Sequence, residues 1–143
     1  MIFKRKDFIS LMDISAEEIL HILETAETMK HVIGKKNKKS PYLEGKSVIV
    51  LFYERSVRAK LSYELAAQYL SANIVDIVVS ETNNRYENLH EMGRTIDQMG
   101  ADFIICRHSM SGSAKFIAEN VNASVINACL LYTSPSPRDT ERS

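Results

Sequence analysis

The sequence predicts an α/β fold, a three-layer parallel sheet with helices on both faces. Three observations predict it. Short runs rich in β-branched and aliphatic residues alternate with stretches of helical period along the chain. The runs are nearly continuous in apolar residues rather than alternating, as befits strands buried on both faces. The connections are short, which suits right-handed β-α-β crossovers.

Each element has its own signature. Ser15-Ala16-Glu17-Glu18 is a capping box, followed at helical spacing by Ile19, Leu23, Ala26 and Met29/Lys30, and this first helix ends near Gly34. Residues 35–41, Lys35-Lys36-Asn37-Lys38-Lys39-Ser40-Pro41, read as a solvated linker. Ser47 to Tyr53 is the first strand, and the helix after it sets Leu61, Leu65 and Tyr69 on one face with Ala66 and Leu70 beside them. Ile74 to Val79 reads as a second buried strand, and the polar, aperiodic segment from Glu81 to Asn88 as a loop. Leu89, Met92, Ile96 and Met99 mark a third helix closed by Gly100. Phe103 to Cys106 is the third strand, ended by Arg107-His108. Ala114, Ile117, Ala118 and Val121 mark a helix leading to the fourth strand, Ser124 to Asn127.

Composition narrows the function classes. The 143 residues suit one ordinary domain, or one domain plus a tail, and 45% apolar with 25% charged residues is normal for a globular protein. Eighteen basic residues balance eighteen acidic ones, so nothing global draws the chain to nucleic acid or an anionic membrane. No apolar run is long enough to span a bilayer, and Met1-Ile2-Phe3-Lys4-Arg5-Lys6 precedes no apolar signal core, so the expected location is the cytoplasm. Cys106 and Cys129 are too few for a disulfide framework. His21, His31 and His90 have no companions at ligand spacing, so no metal site is expected.

In a parallel sheet of this kind, ligands sit beyond the carboxyl ends of the strands. Polar groups expected there are Ser56 to Lys60, Asn83 to Glu87, Arg107-His108 and Asn127. The run from Ser56 to Glu64 leaves an apolar strand and opens a helix, whose first-turn N–H groups point outward and favour an anion. With arginines at 58 and 107, a small, strongly anionic ligand is expected. His108, at a strand exit, reads as a local structural residue.

These segments resemble the carbamoyl-phosphate-binding half of the aspartate/ornithine carbamoyltransferase family, from about Phe8 to Ala128. The family signature Phe-x-x-x-Ser-Thr-Arg-Thr-Arg-x-Ser-Phe-Glu is similar to the run from Phe52 to Glu64. Arg85-Tyr86-Glu87 takes the place of the mobile-loop Lys-Gly-Glu. Met99-Gly100-Ala101-Asp102 through Arg107-His108, and Val125-Ile126-Asn127-Ala128, resemble the aspartate branch more than the ornithine branch.

The resemblance implies carbamoyl transfer from carbamoyl phosphate to the amine of L-aspartate, giving N-carbamoyl-L-aspartate and phosphate in pyrimidine synthesis, with no metal or organic cofactor. It implies that Ser56, the backbone at Val57 and Ala59, and Arg58 hold the phosphate. Arg107 would bridge phosphate and carbonyl oxygen, and Arg85 would reach the neighbouring subunit's site. It further implies a homotrimer with sites between subunits, leaves room for regulatory chains, and gives no role to nucleic acid or membrane.

The departures cluster at the ligand. Val57 and Ala59 replace threonines, Lys60 replaces an arginine fork with a point charge, Arg85 and Tyr86 replace lysine and glycine, and Ser109 replaces a proline. After residue 128 the family continues with a Gly-Asp-Gly turn, a His-Pro-x-Gln segment and an aspartate-binding domain. Here residues 129–143 are polar and rich in turn formers, an expected disordered tail that resembles sequencing-adapter read-through. The chain alone is therefore expected to be inactive. Two alternatives stay open: a non-catalytic homologue that binds phosphate or carbamoyl phosphate, and a transferase acting on ornithine or another amine.

Overall fold

The computed structural model describes residues 4–53, 56–78, 86–108 and 112–128. Four parallel strands, β1 (Ser47–Phe52), β2 (Asn73–Val78), β3 (Phe103–Arg107) and β4 (Ser124–Asn127), form one sheet in the order β2-β1-β3-β4. The helices are α1 (Ala16–Ile33), α2 (Val57–Tyr69), α3 (Tyr86–Gln98) and α4 (Ser113–Asn120). Strand order reverses after β2, which places the switch point between β1 and β3.

Side-chain alternation divides the sheet into two faces. Ile49, Leu51 and Tyr53 of the β1 segment, with Ile104 and Cys106 of β3 and Val125 of β4, pack under Leu89, Ile96, Ala114 and Ile117 of α3 and α4. Val48, Val50 and Phe52, with Ile105 and Ala128, form the opposite core, onto which Ala59, Tyr63 and Ala67 of α2 descend. Gly93 of α3 lets α4 approach closely, since a Cβ there would stand 3.3 Å from a Val121 methyl.

Several expectations are corrected. The second strand is not buried: β2 lies at the sheet edge, where only one neighbour covers it among the described residues, and its Val75 is 50% exposed. The outer face of α2 carries Leu61 and Leu65, which are exposed, while the sheet-facing stripe is Ala59, Tyr63 and Ala67. Small alanines allow the helix to lie close on the sheet, and a hydrophobic period is blind to that advantage. Met99, assigned to the buried face of α3, is 80% exposed because the chain leaves the helix before it and turns at Gly100 with φ +88°. Of the expected loop from Glu81 to Asn88, Tyr86–Asn88 belong to α3, and residues 81–85 lie outside the described residues.

Helix α1 buries none of its residues fully, and Leu23, expected on its apolar face, is exposed. Ile22, Ala26 and Met29 instead line an apolar groove of about 620 Å³ against Phe8, Phe103 and Ile126. The helix starts where the sequence says it should. Ser15 Oγ accepts from the Glu18 N–H at 3.2 Å, and Glu18 Oε1 accepts from the Ser15 N–H at 3.0 Å.

Arg5 adds two donors to the Glu18 carboxylate at 3.0 Å, and also donates to the Asp13 carbonyl. The Arg5 bond, first, and the Ser15 N–H hold the Glu18 carboxyl down at about 2 against an ordinary 4.5. A depressed carboxylate stabilises the fold above its unfolded value and loses that contribution as pH falls toward the folded one. The clasp of the N-terminal segment on α1 is therefore expected to be complete above about pH 4.5 and to open as pH falls toward about 2. Loss of chemical-shift perturbation at Arg5 in Glu18→Gln at neutral pH, matching wild type at low pH, checks this.

The N-terminal segment also covers the β4 edge. The Phe8 N–H donates to the Val125 carbonyl and the Asn127 N–H to the Phe8 carbonyl. Lys6 Nζ donates to the carbonyls of Ala118 and Ala123. Asp102 ties the starts of the central strands together, its Oδ2 accepting from the Ser47 N–H at 2.9 Å.

Candidate functional site

The exits of β1 and β3 adjoin, because Phe52 and Arg107 are register partners in the parallel ladder. From that edge the chain turns into α2. Ser56 is its N-cap, with an extended φ of −148° and no side-chain capping bond, so its hydroxyl does not occupy the first-turn N–H groups. Those N–H groups, at residues 57–59, have no intrahelical acceptor by the geometry of a helix start. Arg58, one residue into the helix, is exposed. No acidic side chain stands in the first turn of α2 to compete for an anion.

Arg107 follows Phe103 and Ile105 on the α2 face of β3, by strand parity. Its Nη1 donates to the Ala128 carbonyl at 3.1 Å, so the residue that follows β4 fixes the guanidinium at the carboxyl ends of the strands. Ser56, the helix start at Val57 to Ala59, and Arg107 thus stand at one sheet edge. Arg58 rises from the same turn.

Other expected members go elsewhere. Lys60 forms an ion pair of 2.5 Å with Asp76 of β2 and so ties α2 to the edge strand. A point charge suffices for that contact, which accounts for lysine at a place where a fork would add nothing. Lys60→Met is expected to lower stability by about 0.2–1 kcal/mol, the range for partly exposed pairs, and to leave anion affinity within about twofold. Thermal melts paired with titration calorimetry check both halves. Asn127 donates through Nδ2 to the Ile9 carbonyl at 3.1 Å, fastening the N-terminal segment. His108 is buried on the opposite face, its ring 4.5 Å from that of Tyr53. Burial, first, and neighbouring Cys106 push the Tyr53 phenol up to about 12. Arg85, Asn83 and residues 129–143 lie outside the described residues.

Sequence reasoning gave no role to Tyr63, which the fold sets on Phe52 beneath the site, ring centroids 6.4 Å apart and nearly perpendicular. It also overlooked Asp76 as the partner of Lys60. The available signal was an acidic residue inside an otherwise β-branched strand. Among the described residues, no group of three His, Cys, Asp or Glu side chains could hold a metal ion, and no helix is long and apolar enough to cross a membrane.

Comparison with known proteins shows the family and the fold. Residues 6–135 match the model of the aspartate/ornithine carbamoyltransferase, carbamoyl-P binding domain. The aspartate carbamoyltransferase catalytic subunit of Acetivibrio thermocellus is 56% identical over 129 residues, 90% of this chain and 41% of the relative. That of Halothermothrix orenii is 46% identical over the same shares. Among solved structures, the catalytic subunit of M. jannaschii aspartate transcarbamoylase superposes with a TM-score of 0.73 at 32% identity, over 87% of this chain and 42% of that one. Aspartate transcarbamoylase from Trypanosoma cruzi, in complex with phosphate, shares the fold with a TM-score of 0.76 at 24% identity, over 85% and 38%. The chain spans about two fifths of the length of the curated relatives it matches.

Proposed function

The chain belongs to the aspartate/ornithine carbamoyltransferase family, and from that premise we propose that it binds carbamoyl phosphate at the shared exit of β1 and β3. The observation that supports this reading is that Arg107 pairs with Phe52 at the end of β1, the strand that precedes α2, whose N-cap Ser56 makes no side-chain capping bond. The phosphate would rest on Ser56 and the backbone N–H groups at Val57, Arg58 and Ala59, with Arg58 adding charge. The carbonyl oxygen would face Arg107.

For a protein carrying the remaining length of these relatives, the proposed reaction is carbamoyl transfer to L-aspartate. The amine nitrogen forms a bond to the carbonyl carbon, and negative charge grows on the carbonyl oxygen. Arg107 stabilises that charge, held in place before the reaction starts. The carbon–oxygen bond to phosphate then breaks, phosphate departs with the electron pair, and the amine proton passes to it. The products are N-carbamoyl-L-aspartate and phosphate. This chain by itself would bind the donor without completing transfer.

Self-association, proposed as a homotrimer with Arg85 reaching a neighbour's site, is supported by the outer stripe of α2. Val57, Leu61 and Leu65 lie there at successive turns, 80%, 53% and 36% exposed. Val57 and Ala59 also favour a second reading, binding without turnover, because both lack the hydroxyl of the resembling signature. Calorimetric titration of the chain with carbamoyl phosphate tests the first claim, and saturable binding with no carbamoyl-aspartate formed is the expected result. Absence of binding overturns it. Product formation by a longer form containing this sequence separates transferase from binder.

A further inference from the structure

We infer that Asn127 is a positioning residue for Arg107, acting through the N-terminal segment that it clamps along β4, next to the carbonyl on which the guanidinium rests. The inference rests on the reading of Arg107 as a carbamoyl phosphate ligand. Arg107 Nη1 donates to the Ala128 carbonyl at 3.1 Å, so the place of the guanidinium follows the place of Ala128. Ala128 stands one residue past β4, where a ladder ends and local opening is easiest. From one side it is fixed to β3, its N–H donating to the Cys106 carbonyl at 2.8 Å.

From the other side the N-terminal segment does the holding. β4 is the last strand in the sheet order, and residues 7–9 run along its outer edge. The Asp7 carboxylate accepts from the Val125 N–H at 2.9 Å, and the Phe8 N–H donates to the Val125 carbonyl at 2.9 Å. Asn127 closes the clamp with two donors. Its backbone N–H reaches the Phe8 carbonyl at 2.8 Å, and its side-chain Nδ2 reaches the Ile9 carbonyl at 3.1 Å. Asn127 is thus fastened to the segment immediately before Ala128 is fastened to β3. A strand end held from both edges keeps the Ala128 acceptor in place. A fixed acceptor removes rotamer freedom from Arg107 before the ligand arrives, which lowers the cost of binding.

Asn127→Ala deletes the side-chain donor. In the full chain it is expected to weaken carbamoyl phosphate binding by about three- to tenfold. Asp7→Ala frees the same segment two residues further from the ligand edge and is expected to cause a similar loss. Neither is expected to cause a further loss in an Arg107→Ala background, because the group they position is gone. Equal affinity of Asn127→Ala and wild type overturns the inference. So does a loss in Asn127→Ala with none in Asp7→Ala, which would mark direct contact of the amide with the ligand. An equal loss in the Arg107→Ala background also overturns it, since that would mark a merely structural role.

A ligand-free measurement keeps the inference separate from the reading beneath it. Rotation of the Arg107 guanidinium about its Nε–Cζ bond can be followed by NMR of isotope-labelled arginine, with the signal assigned by its loss in Arg107→Lys. It is expected to be slower in wild type than in Asn127→Ala or Asp7→Ala, while that of exposed Arg58 stays the same throughout. Equal Arg107 rates in every form refute the coupling whatever binds. Faster rotation in both variants, in a protein that ignores carbamoyl phosphate, upholds the coupling and refutes the binding reading alone.

Discussion

Arg107→Ala is expected to weaken carbamoyl phosphate binding about a hundredfold, measured by titration calorimetry on the full chain at fixed ionic strength. The estimate takes two lost charge-assisted bonds at about 1.5 kcal/mol each, the low end for bonds to charged groups. Arg107 is part-buried and held by the Ala128 carbonyl, so its charge acts where water screens it less than at Arg58. Arg58, exposed on the first turn of α2, is expected to contribute less when replaced by alanine. Arg107→Lys separates charge from shape: recovery of most of the affinity would refute the claim that the planar fork matters. An Arg107→Ala protein that binds as wild type would remove Arg107 from the site altogether.

Leu51→Ala is expected to destabilise the fold by about 2–5 kcal/mol, read from urea unfolding monitored by circular dichroism. Leu51 is fully buried in β1, which has a hydrogen-bonded neighbour on each side, and it packs in the core beneath α3 and α4. Truncation would leave a cavity in a layer closed by Ile104, Ile117 and Leu89, all equally buried, with little freedom to collapse. Met99→Ala is the control. Although Met99 fits the helical period with Leu89, Met92 and Ile96, it is 80% exposed, and its loss is expected to stay within about 0.5 kcal/mol. A large effect there, or a small one at Leu51, would contradict the assignment of the core.

The two corrections at α2 have one origin. A hydrophobic period reports that a face is apolar, and α2 has two such faces: Leu61 and Leu65 on one, Ala59, Tyr63 and Ala67 on the other. Which goes down depends on how closely the helix can approach the sheet, and alanines win that contest by size. Lys60 followed the same logic. Placed near the ligand by its position in the run, it turns to Asp76 because α2 lies across β2, an adjacency that exists only after folding.

Local chemistry along the chain was enough to specify the element order, the four strands and the capped start of α1, though not that β2 lies at the edge with Val75 exposed. Each depends on neighbours within a few residues or on the apolar continuity of a single run. The candidate anion edge was also legible, since a serine and arginine at a strand-to-helix turn, and an arginine at a strand exit, are local features. Only the tertiary structure decided the strand order β2-β1-β3-β4, and with it the register that makes Phe52 and Arg107 neighbours. The same packing turned Asn127 to Ile9, buried His108 against Tyr53, and set Tyr63 on Phe52. The physical reason is range: period and capping act over one or two turns, whereas the partner of a long polar side chain is chosen by whichever element packing brings within reach.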